Sequence, residues 1–589
     1  MKRLSWALSD IRELPVFIKM SSALKRAGAD GEDTCGRLIV EKAEAHPNRT
    51  FLKFEEEELS YGAFNLGVNR YCDMLSREGV GRGDVVAIVM SNCPAFFMAE
   101  MACAKLGAIG ALVNNFLTGS SMKHVLGTSG AKVAICEPST VEQVLGAQPE
   151  FPIFCAGADL PTGVQSLDSA IASADEKEPP VLALTGSDLF LYIYTSGTTG
   201  FPKPALVRHM KFTMGGIALG GIFDIGETDT IYGAMPMYHG FSKFAGYAVA
   251  MRAGGAFATR RKFSASEFLS DVRRHDATMF VYVGELCRYI LAQPPGPMDK
   301  SHLLRKCAGA GMRPDVWELF TSRFGIDKVF EMYGATEGNV SLINRSGKVG
   351  SIGKPNPFQF NNIRVAKYDV EEAELVRDSS GRLIECDFGE PGECLSRVGK
   401  GPIQFDGYVD KKASEKKLVR DGFAKGDVWF RTGDMLSRDA GGYFYFVDRL
   451  GDTFRWKGEN VATQEVEEVL NGAPGVVTAN VYGVKVPGAD GRAGMTAVVL
   501  GEGEDFDAAA FYEKAAADLP SYARPLFVRL SQEIDQTGTL KLKKVDLQKS
   551  GFDPAKVSDP LFVCDPKAKT YVPLSPAVFA EIESGERRL

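Results

Sequence analysis

The chain has 589 residues, of which 45% are hydrophobic and 24% are charged. This is the composition of an ordinary globular protein, and the length is too great for a single hydrophobic core, so we expect two or more domains. A net charge of -7 excludes a general nucleic-acid-binding protein, which would need a basic surface. The eleven cysteines are scattered without a CxxC pair, which favours free thiols in a reducing, cytoplasmic compartment.

The N-terminal segment, residues 1–33, alternates apolar and charged side chains at roughly helical spacing. Charges interrupt its apolar stretch, so we do not expect a signal peptide. The spacing allows two interpretations, a helix on the surface of a membrane and a helix packed on its own domain. The most apolar window, Ala95 to Leu112, contains Glu100 and Lys105, and we predict a buried passage from a helix to a strand there rather than a membrane span.

Helix and strand signals alternate in residues 34–155. An apolar run predicts a strand at 85–89, Ser60 is a predicted helix cap, and Pro94 starts a predicted helix that ends before Gly107. Strands that alternate with helices of this length predict parallel-sheet layers.

A ten-residue segment after the apolar run Leu189–Ile193 contains four Ser/Thr hydroxyls, two glycines and a lysine. Such a loop suits a phosphate, because glycines let successive N–H groups face an anion while hydroxyls and the lysine add donors and charge. It is not a Walker A loop, because Pro202 and Pro204 flank the lysine and prevent a helix from starting there. A Ser/Thr/Gly turn between two strands is the alternative interpretation. The candidate phosphate-binding residues are Tyr194, Thr195, Ser196, Gly197, Thr198, Thr199, Gly200 and Lys203.

The complete string, YTSGTTGFPK, resembles the phosphate loop of the adenylate-forming superfamily, which includes the acyl-CoA synthetases, amino-acid adenylation domains and firefly luciferase. Residues 281–290 and the tail 551–589 resemble the branch of fatty-acid transport proteins and very-long-chain acyl-CoA synthetases, so the resemblance covers nearly the whole chain. It implies an α/β large N-terminal domain, with parallel-sheet layers and a distorted β-barrel subdomain, followed by a small mobile α+β C-terminal domain.

The resemblance places the other nucleotide contacts on later turns. It implies adenine beside Gly309, Ala310 and Gly311, a purine face at Tyr333 and Gly334, phosphate and magnesium contacts at Thr336 and Glu337, and ribose contacts at Asp434 and Arg449. Without the resemblance, the same residues would be ordinary strand ends and turns.

Three further sites follow from the resemblance. His239, Tyr282 and Gly284 are the expected acyl-pocket residues, although a loop histidine and a core helix are the alternative interpretations. Lys541 matches the catalytic lysine, with Thr539-Leu540 in place of the usual Ser-Gly; a lysine beside Lys543 and Lys544 would otherwise belong to a solvated face. Gly451 is the expected hinge, and Gly458, Glu459 and Asn460 form the expected coenzyme A side loop.

These matches predict an amphipathic segment at 1–33, an adenylation domain at 34–450 and a lid domain with an extended tail at 451–589. The implied activity is ATP-dependent conversion of a long- or very-long-chain fatty acid to acyl-AMP and then to acyl-CoA, with Lys541, Glu337, Thr336 and His239 as catalytic residues. ATP, Mg²⁺ and coenzyme A are the implied cofactors, and the fatty acid is the implied partner.

Four alternatives remain open at this point. The protein could act in fatty-acid uptake by coupled esterification, on the inner face of a membrane, or activate a different carboxylate, either an apolar, bile-acid-like acid or carnitine. It could also transfer the acyl group to a carrier protein or to oxygen. Neither the acyl-chain length nor the oligomeric state follows from the sequence.

Overall fold

The computed structural model describes residues 23–195, 201–355, 362–370, 372–399, 404–456, 459–487, 491–533 and 544–587. The chain forms two compact units. The first contains Met1–Asn362 and Arg397–Leu418, and the second contains Ile363–Ser396 and Val419–Leu589. The domain boundaries at residues 33 and 450 stay predictions.

A seven-stranded sheet in the first unit carries the predicted phosphate loop. Its strands are parallel except at one edge, where Leu189–Thr195 and Lys203–Arg208 form an antiparallel pair with Thr195 opposite Lys203. A strand, not a helix, therefore follows the loop, as the prolines predict. The strand order is Val164–Ser166, Ile153–Cys155, Ala131–Cys136, Val85–Val89, Ile109–Leu112, Leu189–Thr195 and Lys203–Arg208.

A nine-stranded sheet in the same unit carries most of the remaining predicted site residues. Six adjacent strands, from Lys328–Gly334 to Thr50–Phe54, are parallel, so their carboxyl ends lie at one edge of the sheet. The strand order is Lys354–Pro355, Ser341–Asn344, Lys328–Gly334, Lys306–Ala310, Met279–Val283, Thr230–Tyr232, Ala256–Thr259, Thr50–Phe54 and Glu57–Ser60.

Local signals in the sequence place the helices of the first unit well. The Ser60 side chain accepts a hydrogen bond from the Ala63 amide at a helix start, and Gly107 ends the helix Pro94–Leu106 with a φ of 64°. The helices are Cys35–Ala45, Tyr61–Arg77, Pro94–Leu106, Gly119–Ser129, Val141–Gly146, Leu167–Ala172, His209–Phe223, Gly240–Ser242, Ala248–Ala253, Phe268–Arg274, Gly284–Leu291, Pro314–Phe324 and Lys411–Glu415, with π-helical Lys243–Tyr247 between two of them.

The apolar window 95–112 is the predicted buried passage from a helix to a strand. Its Glu100 is fully buried and accepts a hydrogen bond from the Lys243 ammonium group at 2.5 Å, which compensates part of the cost of burying both charges. In the described ranges, no helix combines the length and the apolar character needed to cross a bilayer.

The second unit contains two five-stranded sheets. In the described residues the first is an open sheet, so the β-barrel subdomain stays a prediction. This sheet contains Ile363–Ala366, Gly392–Arg397, Val428–Arg438, Leu418–Arg420 and Phe444–Arg449. The second follows in the order Val476–Val484, Ala493–Leu500, Phe527–Leu530, Leu561–Asp565 and Thr570–Pro573. Two short pairs are Tyr368–Asp369 with Glu374–Leu375 and Phe454–Trp456 with Glu459–Val461.

Helices pack on the second of these sheets and make the expected α+β arrangement. They are Thr463–Leu470, Ala508–Asp518, Val545–Ser550 and Pro576–Glu583. Buried side chains of the sheet and the helices, including Val481, Phe527, Leu470 and Phe511, form one hydrophobic core. This part of the chain therefore has a core of its own.

Candidate active site

The two flanks of the predicted phosphate loop contact one helix, Gly119–Ser129. The Tyr194 hydroxyl donates a hydrogen bond to the carbonyl of Val125 at 3.4 Å, and the Phe201 ring stacks on His124 with ring centroids 4.6 Å apart. Thr195 and Lys203 face each other across the strand pair. Ser196, Gly197, Thr198, Thr199 and Gly200 lie outside the described residues.

The segment 404–409 pairs with the strand after the loop. The Leu206 amide donates to the carbonyl of Gly407 at 2.9 Å, and the Val409 amide donates to that of Pro204 at 3.1 Å. The Arg208 guanidinium donates to Asp406 at 2.6 Å. These bonds fix Tyr408, a residue to which the sequence analysis assigns no role, beside the loop strand.

The Tyr408 phenol joins two predicted site residues. Its hydroxyl donates a hydrogen bond to Glu337 Oε1 at 2.9 Å, and the Thr195 side chain is a second hydrogen-bond partner. Burial raises the pKa of Tyr408, so the phenol stays protonated and remains a donor. The candidate magnesium ligand and the start of the phosphate loop therefore meet at one hydroxyl group.

Lys211 holds the backbone on both sides of Glu337. Its ammonium group donates to the carbonyl of Thr336 and, at 3.1 Å, to that of Gly338. Burial lowers the pKa of Lys211, while the charges of Asp406 and Glu337 act in the opposite direction. Nothing in the sequence indicated this role for Lys211, because the residue lies 126 positions before Glu337, at the start of a helix without a recognisable motif.

The turn at His239 lies against the Thr336 side chain. A methyl group placed on Gly240 would come within 3.2 Å of Thr336 Oγ1, so only a glycine allows this approach without displacement. Buried Asn92 holds the preceding residues: it accepts from the Met237 amide at 2.8 Å and donates to the carbonyl of Met235 at 3.0 Å. The structure thus brings the turn at His239 close to Thr336, the residue before Glu337.

Glu331 organises the turn that is predicted to hold adenine. Its carboxylate accepts hydrogen bonds from the amides of Gly311 and Met312 and, at 2.6 Å, from the Tyr282 hydroxyl. Burial raises the pKa of Glu331 to about 7. Gly311 has a φ of 81°, which a glycine adopts without strain.

The predicted acyl-pocket residues pack directly against this turn. A methyl group on Gly309 would lie 2.1 Å from the Tyr282 ring, and one on Gly284 would lie 1.8 Å from the Gly311 carbonyl oxygen. Gly309 therefore makes room for a ring of the protein itself. Ala310 and Gly334 end their strands at the same edge of the sheet, and Tyr333 is half-buried beside Gly334.

The predicted ribose residues face each other in the second unit. Asp434 pairs with Arg449 across two antiparallel strands, and the Asp434 amide donates to Thr432 Oγ1 at 3.1 Å. Exposed Gly451 lies in the turn that follows Arg449. Glu459 is exposed in a short strand, and the Asn460 backbone lies in the same strand, whereas Gly458 and Lys541 lie outside the described residues.

A buried polar cluster contains residues from both sides of the predicted hinge in the sequence. Asp448 accepts hydrogen bonds from the Thr463 amide at 2.6 Å and from the Thr453 hydroxyl at 3.1 Å. The Lys544 ammonium group donates to Thr463 Oγ1 at 2.5 Å and to Glu467 at 2.8 Å. Lys544 is thus buried, with 8% of its surface exposed, and the solvated-face interpretation is wrong for this lysine.

The donor chemistry at Glu337 and Thr336 fits a magnesium ion. Both side chains offer hard oxygen atoms, which Mg²⁺ prefers, and this ion commonly takes its remaining ligands from water and nucleotide phosphates.

Two family models match the chain. The model described as AMP-binding enzyme matches residues 39–409, and the model described as AMP-binding enzyme C-terminal domain matches residues 465–541. The first match covers most of the first unit, including the described candidate residues for the phosphates, adenine and acyl group.

Two curated proteins are similar over almost their entire lengths. Long-chain fatty acid transport protein 6 of Mus musculus is 40% identical over 92% of this chain and 89% of its own length. Medium/long-chain-fatty-acid–CoA ligase FadD6 of Mycobacterium tuberculosis (strain ATCC 25618 / H37Rv) is 39% identical over 98% of this chain and 96% of its own length.

Solved structures share the fold. The anthranilate CoA ligase AuaEII in complex with anthranoyl-AMP has a TM-score of 0.76 and 21% identity, covering 89% of this chain and 98% of its own. ATP-bound MatB from Rhodopseudomonas palustris has a TM-score of 0.72 and 22% identity, covering 87% of this chain and 98% of its own. From the family models and the curated relatives together, this chain belongs to the AMP-binding enzyme family.

Proposed function

We propose that this protein converts a fatty acid to its acyl-CoA in two steps, of which the first consumes ATP. The supporting observation is its 39% identity, over nearly both complete lengths, to a protein named as a medium/long-chain-fatty-acid–CoA ligase. Of the acids in that class, we propose a long- or very-long-chain acid as the substrate.

In the first step, a carboxylate oxygen of the acid attacks the α-phosphorus of ATP. The bond to the β-phosphate oxygen breaks, pyrophosphate leaves and acyl-AMP forms. Two anions must approach each other, so positive charge and fixed geometry contribute more than acid–base chemistry. In the second step, the thiol of coenzyme A attacks the acyl carbon, AMP leaves and one proton is released.

We assign the nucleotide contacts as the resemblance to the adenylate-forming superfamily implies them. Residues 195–200 and Lys203 bind the β- and γ-phosphates, and Thr336 contacts the α-phosphate. Adenine lies between the 309–311 turn and Tyr333, while Asp434 and Arg449 hold the ribose hydroxyls. The amides that Glu331 fixes keep this turn in one conformation before the nucleotide binds.

Glu337 and Thr336 would hold Mg²⁺ through their oxygen atoms. When bound, the ion neutralises negative charge on the phosphate oxygens during transfer. Lys541 bridges the acyl carboxylate and the α-phosphate, and His239 separates the nucleotide from an acyl pocket that Tyr282 and Gly284 help to line.

The second step needs a different group near the acyl carbon. We assign Gly451 as the hinge at which the C-terminal domain, residues 451–589, turns after acyl-AMP has formed. Gly458, Glu459 and Asn460 then present the thiol of coenzyme A. A glycine at the hinge tolerates the change in backbone angles that such a rotation requires.

We propose a cytoplasmic location with peripheral contact between the segment 1–33 and the inner face of a membrane. The contact is made by the part of the segment before Ala27, because Ala27 to Asp33 pack on the rest of the first unit. Alternating apolar and charged residues in that segment support this idea. The test is sedimentation with liposomes that contain anionic lipid: the complete chain should sediment and a chain lacking residues 1–32 should not. Equal sedimentation of both chains would exclude the segment as the anchor.

The activity is tested by pyrophosphate release from ATP and Mg²⁺, with fatty acids of increasing chain length, each with and without coenzyme A. We expect release to depend on the acid, and an acyl thioester to form when coenzyme A is present. The ranking of the acids gives the preferred chain length. If no fatty acid supports pyrophosphate release, the proposed function is wrong.

A further inference from the structure

The geometry points to Tyr408 as a positioning residue for Glu337, with Lys211 fixing the backbone beneath the same carboxylate. This inference rests on the proposed function, because it takes Glu337 to be the ligand of the divalent cation. Tyr408 itself contacts no reacting atom in this assignment. Its role is to hold the carboxylate in the orientation that receives the cation together with the nucleotide.

Tyr408 is well placed for this role because its own position is fixed. Its amide donates to Ser414 Oγ at 2.9 Å, and backbone hydrogen bonds join the neighbouring residues Gly407 and Val409 to the strand after the phosphate loop. The residue is 7% exposed and packs in a small cluster with Ala205 and Ala413. A buried, packed ring presents its hydroxyl in one direction.

The hydrogen bond from Tyr408 constrains the Glu337 side chain without blocking it. The hydroxyl is bonded to Oε1 at 2.9 Å, and in the described part of the chain nothing is bonded to Oε2. One oxygen therefore fixes the carboxylate plane while the other remains available for a cation. Second partners of this kind are a general way of orienting metal ligands.

Lys211 constrains the same residue from the backbone side. Its ammonium group donates to the carbonyls of Thr336 and Gly338, the residues before and after Glu337, so one charge holds the backbone on both sides of this residue. Asp406 lies close enough to Lys211 to interact with that charge, and Arg208 pairs with Asp406 at 2.6 Å. The segment 404–409 thus orients the Glu337 side chain through Tyr408, and helix His209–Phe223 orients its backbone through Lys211.

The main test replaces the hydroxyl alone, in Tyr408→Phe. The measurement is Mn²⁺ binding by electron paramagnetic resonance in the presence of α,β-methylene-ATP, so that no turnover is needed. We expect the apparent Kd for Mn²⁺ to rise about tenfold, because a hydrogen bond to a charged group is stronger than a neutral one. The matched control is Tyr61→Phe, which removes another buried hydroxyl, one that donates to the carbonyl of Gly255 at 2.8 Å.

Lys211→Met is the second variant, and Glu337→Gln is the reference that removes the charge of the ligand itself. The inference is supported if Tyr408→Phe and Lys211→Met bind Mn²⁺ more weakly and Tyr61→Phe binds it as the natural chain does. The two Phe variants should also have similar melting temperatures. If Glu337→Gln weakens Mn²⁺ binding and Tyr408→Phe does not, the positioning role is wrong. If Glu337→Gln also binds Mn²⁺ normally, Glu337 is not the ligand; the pyrophosphate assay then still tests the proposed function separately.

Discussion

Glu331 is a buried carboxyl group in a position where its charge is costly. It is 2% exposed, and burial raises its pKa to about 7 even though two amides and a phenol donate to it. In the unfolded chain the same group has an ordinary pKa near 4.3. Between these two values the folded protein therefore keeps a proton that the unfolded chain has lost.

The consequence is a pH dependence of opposite sign to that of a salt-bridged carboxylate. Because the folded pKa is raised, the contribution of Glu331 to the free energy of unfolding falls as the pH rises from about 4 to about 7 and is constant above that range. Glu331→Gln has no such proton to lose, and its amide can still accept from the two N–H groups and donate to the Tyr282 oxygen. We expect the variant to gain stability over the natural chain as the pH rises, by about 2 to 3 kcal/mol at pH 8 relative to pH 5.

Melting temperatures of both proteins at pH 5, 6, 7 and 8 measure this effect. Only the difference between the two proteins is compared, which removes the contributions of all other titrating groups. A difference that does not change between pH 5 and pH 8 would contradict the raised pKa. Glu331→Ala is the control that removes the hydrogen bonds as well, and it should be less stable than the natural chain at every pH.

At the scale of elements, helix Gly119–Ser129 contacts the two flanks of the predicted phosphate loop. Its His124 stacks on Phe201 with an angle of 19° between the rings, and Phe201 is 44% exposed. Without this partner, the exposed Phe201 ring would gain conformational freedom. The stack therefore limits the conformations of the residues that lead into Lys203.

A double-mutant cycle tests this contact. We expect His124→Ala and Phe201→Ala each to raise the KM for ATP severalfold, with little further change in the double variant, because both remove the same stack. An aromatic pair of this kind couples by about 0.5 to 1.5 kcal/mol. His124→Phe keeps an aromatic ring, so its KM for ATP should stay close to that of the natural chain. Fully additive effects of the single variants would exclude the coupling, and exposed Lys123→Ala is the matched control.

Local sequence patterns predicted the helices, strands and turns well. They did not predict the distant residues that hold the candidate site residues in place. Ser60 and Gly107 carry their conformational preference in their own chemistry, so the helix boundaries there follow from the sequence. Glycine and hydroxyl motifs likewise mark the loop and the turns. Tyr408, Lys211 and Asn92 act on residues more than 70 positions away, and no local pattern distinguishes them from other core residues.

Lys544 shows the same limit in the second unit. In the sequence it belongs to a short basic run, which is typical of an exposed face. In the structure it lies among Thr463, Glu467 and Asp448, and only the fold brings those partners together. Burial opposes its charge, but the carboxylates of Glu467, Asp452 and Asp448 outweigh burial and raise the pKa of Lys544.

At the scale of the whole molecule, the cluster of Asp448, Thr463, Glu467 and Lys544 joins three parts of the chain that lie next to predicted site residues. Asp448 adjoins the predicted ribose residue Arg449, Thr463 starts the helix after the predicted coenzyme A loop, and Lys544 follows the predicted catalytic Lys541 by three positions. All members of the cluster belong to the second unit. The cluster therefore ties the end of the segment that carries Lys541 to the strand that carries Arg449.

Lys544→Met removes the central charge of this cluster and leaves buried carboxylates without their partner. Loss of one member of a buried ion pair is destabilising by about 3 to 5 kcal/mol, so the melting temperature should fall. Beyond this loss, we expect the acyl-AMP step to slow at least tenfold, whereas thioester formation from supplied acyl-AMP should change less, because Lys541 acts in the first step only. Both half-reactions are measured below the melting temperature of the variant, with exposed Lys549→Met as the matched control. If the two half-reactions slow by the same factor, Lys544 contributes only to the stability of the second unit.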